Sequence, residues 1–300
     1  MEPIYLHHYK LKTRRPLNSR SKRCEISGVL LRQGDGFGCL QPWPELGDET
    51  LEEQLERLSL GEPSAMVQRA LECCAVDGEA RRAGISIFAG LSVPQSHATL
   101  VEFPNLSDLD ALVAGGFEAV KIKISTRELT KLSAWKSVPL KIRLDANGTL
   151  MPEEFLRGMQ ALTDDVREAI DFVEDPCAYD AEVWNFLRGR SGVELALDRG
   201  SGELGYGVRV WKPAVFSKPT GSGRLVVTSN MDHALGQMFA AYEAAVYGTG
   251  EVCGLLTHGL FEENEFFAAV QSKGPQLLPP SGTGLGFDAL LEGLPWKRFV

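Results

Sequence analysis

Short apolar runs that each end in a charged residue recur through the middle of this chain, and their spacing leaves it few folds. Asp145 closes the run 140–144, Glu174 the run 170–173 and Asp198 the run 193–197. Separations of 29 and 24 residues leave room for a strand, a crossover helix and the next strand, which is the make-up of a βαβ unit. Lys121 and Lys123 end the run that starts at Phe117, and Lys212 ends the run that starts at Val208. Six charged side chains are thereby expected at the carboxyl ends of successive parallel strands, where an α/β barrel carries its chemistry.

From residue 96 onward the pattern alternates. Strands are expected over 97–101, 120–124, 140–145, 170–174, 193–198 and 225–229, with a last one over 252–258. Helices are expected over 106–115, 129–135, 152–162, 181–188 and 232–247. The stretches 199–207 and 213–223 are rich in glycine and proline, poor material for a helix interior, so two crossover helices should be lost or shortened. The first 90 residues read differently. Residues 26–32 alternate as a strand, and a turn at 33–36 predicts a hairpin. Thr50 and Glu53 form a capping box ahead of Leu51, Leu55 and Leu58 on one helix face, and a second helix is expected over 64–83. The fold class is therefore α/β: a modified TIM-type (β/α) barrel over 93–280, with an α+β capping domain over 1–92 completed by the segment 281–300.

Composition narrows the function classes. A net charge of −9 would repel phosphate backbones and argues against nucleic acid as a partner; the basic stretch 10–22 reads as a solvated loop. No apolar run approaches the roughly 20 residues of a membrane span. The start, Met1-Glu2-Pro3, lacks the charged and apolar regions of a signal peptide, so a cytoplasmic protein without membrane attachment is expected. Six cysteines, at 24, 39, 73, 74, 177 and 253, make no metal-ligand spacing and read as small buried apolar residues. Cys177, beside Glu174-Asp175-Pro176, is the one candidate for a redox-sensitive thiol. Among the histidines, His233 and His258 fall near late strand ends where they could line a pocket; the others, His97 included, read as structural or surface groups. Trp43, Trp135, Trp184, Trp211 and Trp296 read as packing, and residues 34–38 as a hairpin and mobile loop, since no βαβ context follows that would make a phosphate cradle.

Three carboxylates with two flanking sets of amines point to one kind of chemistry. Carboxylates are hard oxygen ligands suited to Mg²⁺, with Mn²⁺ able to substitute. Abstracting a proton alpha to a carboxylate creates an enediolate dianion, whose charge demands a metal ion or preorganised cations. An amine base must be partly neutral near pH 7, a condition that neighbouring cations favour. The expected partner is a small-molecule carboxylate; oligomeric state is not set by these features.

In this order, and with these neighbours, the residues resemble the enolase superfamily. Lys121-Ile122-Lys123 is similar to its KxK on the second strand, Asp145, Glu174 and Asp198 to its three metal ligands, and Lys212-Pro213 to its sixth-strand lysine. Within the superfamily, Arg143-Leu144-Asp145-Ala146-Asn147-Gly148, the compact length, and Lys212-Pro213 followed by Thr228-Ser229 resemble the o-succinylbenzoate synthase family of menaquinone biosynthesis most. The resemblance implies a Mg²⁺-dependent lyase that converts 2-succinyl-6-hydroxy-2,4-cyclohexadiene-1-carboxylate to o-succinylbenzoate. It implies Lys123 as acid and base, Lys212 as stabiliser of the enediolate from the opposite face, and Lys121 as a group tuning Lys123. Arg143 and Asn147 would support the site, and Ser229 and Thr228 would bond the succinyl tail. The alternative in the same superfamily is an N-acylamino acid racemase or dipeptide epimerase; outside it, a non-catalytic barrel that binds metal structurally. Two departures stand out: the missing crossover helices, and a capping-domain loop, Gly36 through Trp43, that lacks the acid of the usual Gly-x-Gly-Glu.

Overall fold

The computed structural model describes residues 2–17, 22–198, 207–220 and 223–300. The chain opens with an antiparallel meander of β1 (Ile4–Lys12), β2 (Glu25–Gln33) and β3 (Gly36–Leu40). The expected hairpin is there, and β1 is an addition, because His7-His8 and Tyr9-Lys10 interrupt its apolar alternation. Pairing with β2 over all nine of its residues supplies the order that its own pattern lacks. Helix α1 (Leu51–Ser59) starts as the capping box predicts: Glu53 N donates to Thr50 Oγ1 at 3.2 Å and Thr50 N to Glu53 Oε2 at 2.7 Å. Helix α2 (Ala65–Arg82) is capped by Ser64.

Residues 34–38 are not a mobile loop. Most of them belong to β3, which is buried along its length and lies backbone to backbone on α2. A Cβ on Gly36 would stand 1.8 Å from the carbonyl oxygen of Cys74, and one on Gly38 2.2 Å from that of Ala70. These glycines are there for close approach.

The barrel follows as β4 (Ala98–Leu100), α3 (Leu106–Ala114), β5 (Ala119–Lys123), α4 (Thr126–Leu132), β6 (Lys141–Asp145), α5 (Pro152–Gln160), α6 (Asp164–Ala169), β7 (Ile170–Glu174), α7 (Ala181–Ser191), β8 (Leu195–Leu197), β9 (Val208–Trp211), β10 (Arg224–Val227) and α8 (Ala234–Tyr247). Its seven strands are parallel and lie in sequence order. Helix α4 starts three residues before the expected point because the Ser125 hydroxyl caps it, and the short α6, capped by Thr163, went unforeseen. Of the two crossover helices expected to be lost, the first falls largely on residues 199–206, outside the described residues. In the second, residues 213–220 hold a turn and extended chain with no helix.

The last expected strand, 252–258, is reduced to a contact of two residues. Cys253 bridges Ser96 and Gly254 bridges Thr228, both parallel, with His97 N donating to Cys253 O at 2.8 Å and Gly254 N to Val227 O at 2.8 Å. The two edges of the seven-stranded sheet are thus joined through this segment. Beyond it, α9 (Glu265–Ala269), β11 (Gln271–Lys273), β12 (Gln276–Leu278) and α10 (Asp288–Glu292) lead to β13 (Lys297–Arg298), which pairs antiparallel with β1. One apolar core crosses between the two sheets, joining Leu30 and Phe37 to Trp211, Val227, Leu235 and Met238. No helix among the described residues is long and apolar enough to cross a membrane.

Candidate active site

Register decides which side chains meet. Lys123, Asp145 and Glu174 are lateral partners on β5, β6 and β7, and Glu174 pairs with Ala196, two residues before Asp198. In-register residues of parallel strands point to the same face, so the three carboxylates stand at neighbouring strand ends. One layer down, Lys121 is the partner of Thr99 and Arg143. This lower layer continues as an apolar cluster of Phe172, Ala196, Val208, Val210 and Val226, Phe172 being the partner of Arg143. A cavity of about 560 Å³, counted out to its solvent mouth, is lined by Lys121, Lys123, Asp145, Asp198 and Lys212 from the barrel and by Leu17, Trp43 and Leu46 from the N-terminal region.

The charges are arranged as ion pairs. Lys121 Nζ lies 2.7 Å from Glu174 Oε1 and 3.0 Å from Asp145 Oδ2, and Lys212 Nζ contacts Asp198 Oδ1. As the side chains stand, the ammonium groups take up these oxygens, and no three acidic, histidine or cysteine side chains among the described residues form a group that would hold a metal. The donor chemistry is nonetheless that of a hard divalent cation: three carboxylates, Asp145 and Glu174 of them buried, with Asp198 raising the proton affinity of both and Asp145 that of Glu174. Burial opposes the charge of Lys121, but Asp145, Glu174 and Asp198 outweigh it and hold the ammonium above its ordinary value. Lys123 moves the other way. Burial lowers it first and the cations of Lys121 and Lys212 add to that, against the pull of Asp145 and Glu174.

The remaining candidates fall in several places. Thr228 and Ser229 line the cavity, Ser229 Oγ lying 2.7 Å from Thr257 Oγ1. Asn147 takes a left-handed backbone, φ 50°, and its N–H donates to Asp145 Oδ1 at 3.1 Å. Arg143 fills the barrel interior below the charged layer, its guanidinium donating to Asp171 Oδ2 at 2.8 Å and Val252 O at 2.6 Å and lying over the Phe172 ring. His233 and His258 do not line this cavity: His233 caps α8 through Nδ1, and His258 Nδ1 sits 2.9 Å from Gln237 Nε2. Cys177 is buried in the barrel core and burial raises its thiol, the reverse of what a redox-sensitive thiol needs. Cys24 is exposed, unlike the other five.

Three residues were not assigned to the site from the sequence. Trp43 packs and also lines the cavity, its Nε1 donating to Asn230 O at 2.8 Å. Asp175, at φ 42°, accepts from Asp198 N at 3.2 Å and so positions the third carboxylate. His97 lines the cavity; its place at the start of the first barrel strand, two residues before Thr99, was the signal available.

Solved structures with this architecture define the class. A mandelate racemase/muconate lactonizing protein from Herpetosiphon aurantiacus matches with a TM-score of 0.75 at 18% identity, covering 95% of this chain and 97% of that one. A dipeptide epimerase from Enterococcus faecalis V583, complexed with Mg and the dipeptide L-Leu-L-Tyr, matches with a TM-score of 0.75 at 17% identity, covering 95% and 99%. The fold is that of the enolase superfamily. Residues 4–80 match the family described as O-succinylbenzoate synthase, N-terminal domain, and the o-succinylbenzoate synthase of Bdellovibrio bacteriovorus is 33% identical over 97% of this chain and 96% of that protein. The chain belongs to the o-succinylbenzoate synthase family.

Proposed function

We propose that this protein is a cytoplasmic lyase that dehydrates 2-succinyl-6-hydroxy-2,4-cyclohexadiene-1-carboxylate to o-succinylbenzoate, with residues 93–280 as catalytic barrel and 1–92 with 281–300 as its cap. The observation that carries the reading is the convergence of Lys123 and Lys212 on one cavity with Asp145 and Asp198, in a chain of this family. Lys123, half-buried and lowered toward neutrality, takes the proton alpha to the substrate carboxylate. The resulting ammonium returns it to the departing hydroxyl, which leaves as water while the ring gains its third double bond. Lys212 remains a cation and stabilises the developing oxyanion, a contribution on the order of 10²–10³ in rate. Lys121, paired with Asp145 and Glu174, holds those carboxylates in place and keeps a positive charge near Lys123. Asp145, Glu174 and Asp198 would hold Mg²⁺, with Mn²⁺ able to substitute, once Lys121 and Lys212 yield their oxygens; the bound ion supplies Lewis-acid stabilisation of the substrate carboxylate.

The test is direct. With Mg²⁺ present, the ultraviolet absorption of the cyclohexadiene should disappear as o-succinylbenzoate forms, and EDTA-stripped protein should be inactive until Mg²⁺ is restored. Full activity after stripping, or no turnover by the loaded protein, refutes the reading. Lysines that face one cavity also suit a two-base racemase or epimerase of N-acylamino acids or dipeptides; solvent deuterium entering such a substrate without elimination would favour that alternative.

A further inference from the structure

The seam that closes the barrel brings an unexpected side chain level with Lys212. Trp211 pairs with Val227, Thr228 bridges Gly254, and Ser96 bridges Cys253, so Lys212, Thr228, Gly254 and His97 follow one another around this side of the cavity. The His97 side chain is buried, only 2% exposed, yet lines the cavity. Its Nδ1 lies 3.0 Å from Arg143 Nη1. A guanidinium has donors only, so Nδ1 accepts and the single ring proton stands on Nε2. Burial, reinforced by the cations of Arg143 and Lys121, keeps the ring neutral. Nε2 makes no hydrogen bond to any described residue. Gly254 lies against that edge of the ring: a Cβ there would stand 3.0 Å from Nε2, 2.9 Å from Cε1 and 2.6 Å from Thr228 Cγ2. Thr228 Oγ1 is likewise buried without a partner. A donor held in one tautomer, with its face kept clear by glycine and no acceptor among the described residues, is arranged for a ligand atom.

We propose that His97 is a substrate-binding residue whose Nε2–H donates to a carbonyl or carboxylate oxygen on the substituent that the substrate carries beside its reacting carboxylate, at a subsite flanked by Gly254 and Thr228. The assignment rests on the dehydratase reading, in which the succinyl group supplies such oxygens. Two substitutions separate the donor from the acceptor that serves Arg143. His97→Gln carries an amide NH₂ out to the position of Nε2, whereas His97→Asn keeps an oxygen near Nδ1 for Arg143 and removes the cavity donor.

The experiment is calorimetric titration of the Mg²⁺-loaded proteins with o-succinylbenzoate and with benzoate, together with KM, kcat and thermal midpoint. His97→Asn should weaken o-succinylbenzoate binding and raise KM by about tenfold, the size of one hydrogen bond, with benzoate affinity, kcat and midpoint little changed. His97→Gln should stay within about threefold of wild type on the same scale. The opposite order, Asn tolerated and Gln impaired, would make the Arg143 contact the reason for the histidine and overturn the proposal, as would equal loss in both variants or loss in neither. Wild-type protein that binds o-succinylbenzoate in none of these titrations overturns the functional reading itself, and the subsite with it.

Discussion

At the scale of single residues, environment assigns different work to chemically identical groups. Lys121 is fixed between two carboxylates, while Lys123, two positions along the same strand, is lowered by burial and by its cationic neighbours. If Lys123 is the only acid and base, Lys123→Arg should show no dehydration, because a guanidinium does not deprotonate. Lys212→Arg should keep a measurable residual rate, since it retains the cation; equal and complete loss in both would move the chain toward two-base chemistry. Asp232 offers a test unconnected with catalysis. It precedes α8, is buried, and neither of its carboxylate oxygens has a hydrogen-bond partner on another described residue, so burial raises its pKa to about 7, against about 3.9 in an unfolded chain. An acid raised on folding binds its proton more tightly in the folded state. Its contribution to stability is therefore full below about pH 4, declines as pH rises between the two values, and is lost above the folded one. Asp232→Asn should accordingly stabilise the protein at pH 8, by on the order of 1–3 kcal/mol, and change little at pH 4. Urea unfolding at the two pH values checks this, and an equal effect at both would discount the charge.

At the scale of elements, caps and close approaches were unequally legible. The Thr50–Glu53 box and the Asp145, Glu174 and Asp198 strand ends follow from local patterns, because a capping oxygen or a strand terminus is specified within a few residues. The role of Gly36 and Gly38 was not, since what they touch lies on α2, about 35 residues on. Gly38→Ala should force β3 off that helix and destabilise the protein by about 1–3 kcal/mol or more, read as a lower urea midpoint with unchanged slope. The same change at Gly259, which has no left-handed backbone and where a Cβ meets nothing, serves as the control, and similar losses at both sites would dismiss the packing account. Strand β1 and helix α6 were missed for a related reason: sheet pairing in the one case and a short capped turn in the other supply order that apolar periodicity does not announce.

At the scale of the whole molecule, the two sheets are stitched together. Trp43 Nε1 donates to Asn230 O at 2.8 Å, Asn230 Nδ2 to Gln41 O at 3.0 Å and Gln41 Nε2 to Met231 O at 2.8 Å, and Arg69 of α2 reaches Pro213 O at 2.8 Å and Glu243 of α8. With one apolar core spanning both sheets, thermal unfolding should be a single cooperative transition in which calorimetric and van't Hoff enthalpies agree. Two resolved transitions would contradict a shared core. Trp43→Phe removes one bond of the seam and part of the cavity wall, and should raise KM while costing about 1–2 kcal/mol of stability. By itself the sequence determined the class of fold, the strand-end carboxylates and lysines, and the chemistry that hard oxygens beside amines support, because these are written in local periodicity and residue type. Only tertiary structure decided that Trp43 joins the cavity wall, that Arg143 fills the barrel interior, and that His97 turns one proton toward the cavity. Those outcomes depend on register around a closed ring and on contacts between residues far apart in the chain, where no local pattern carries the information.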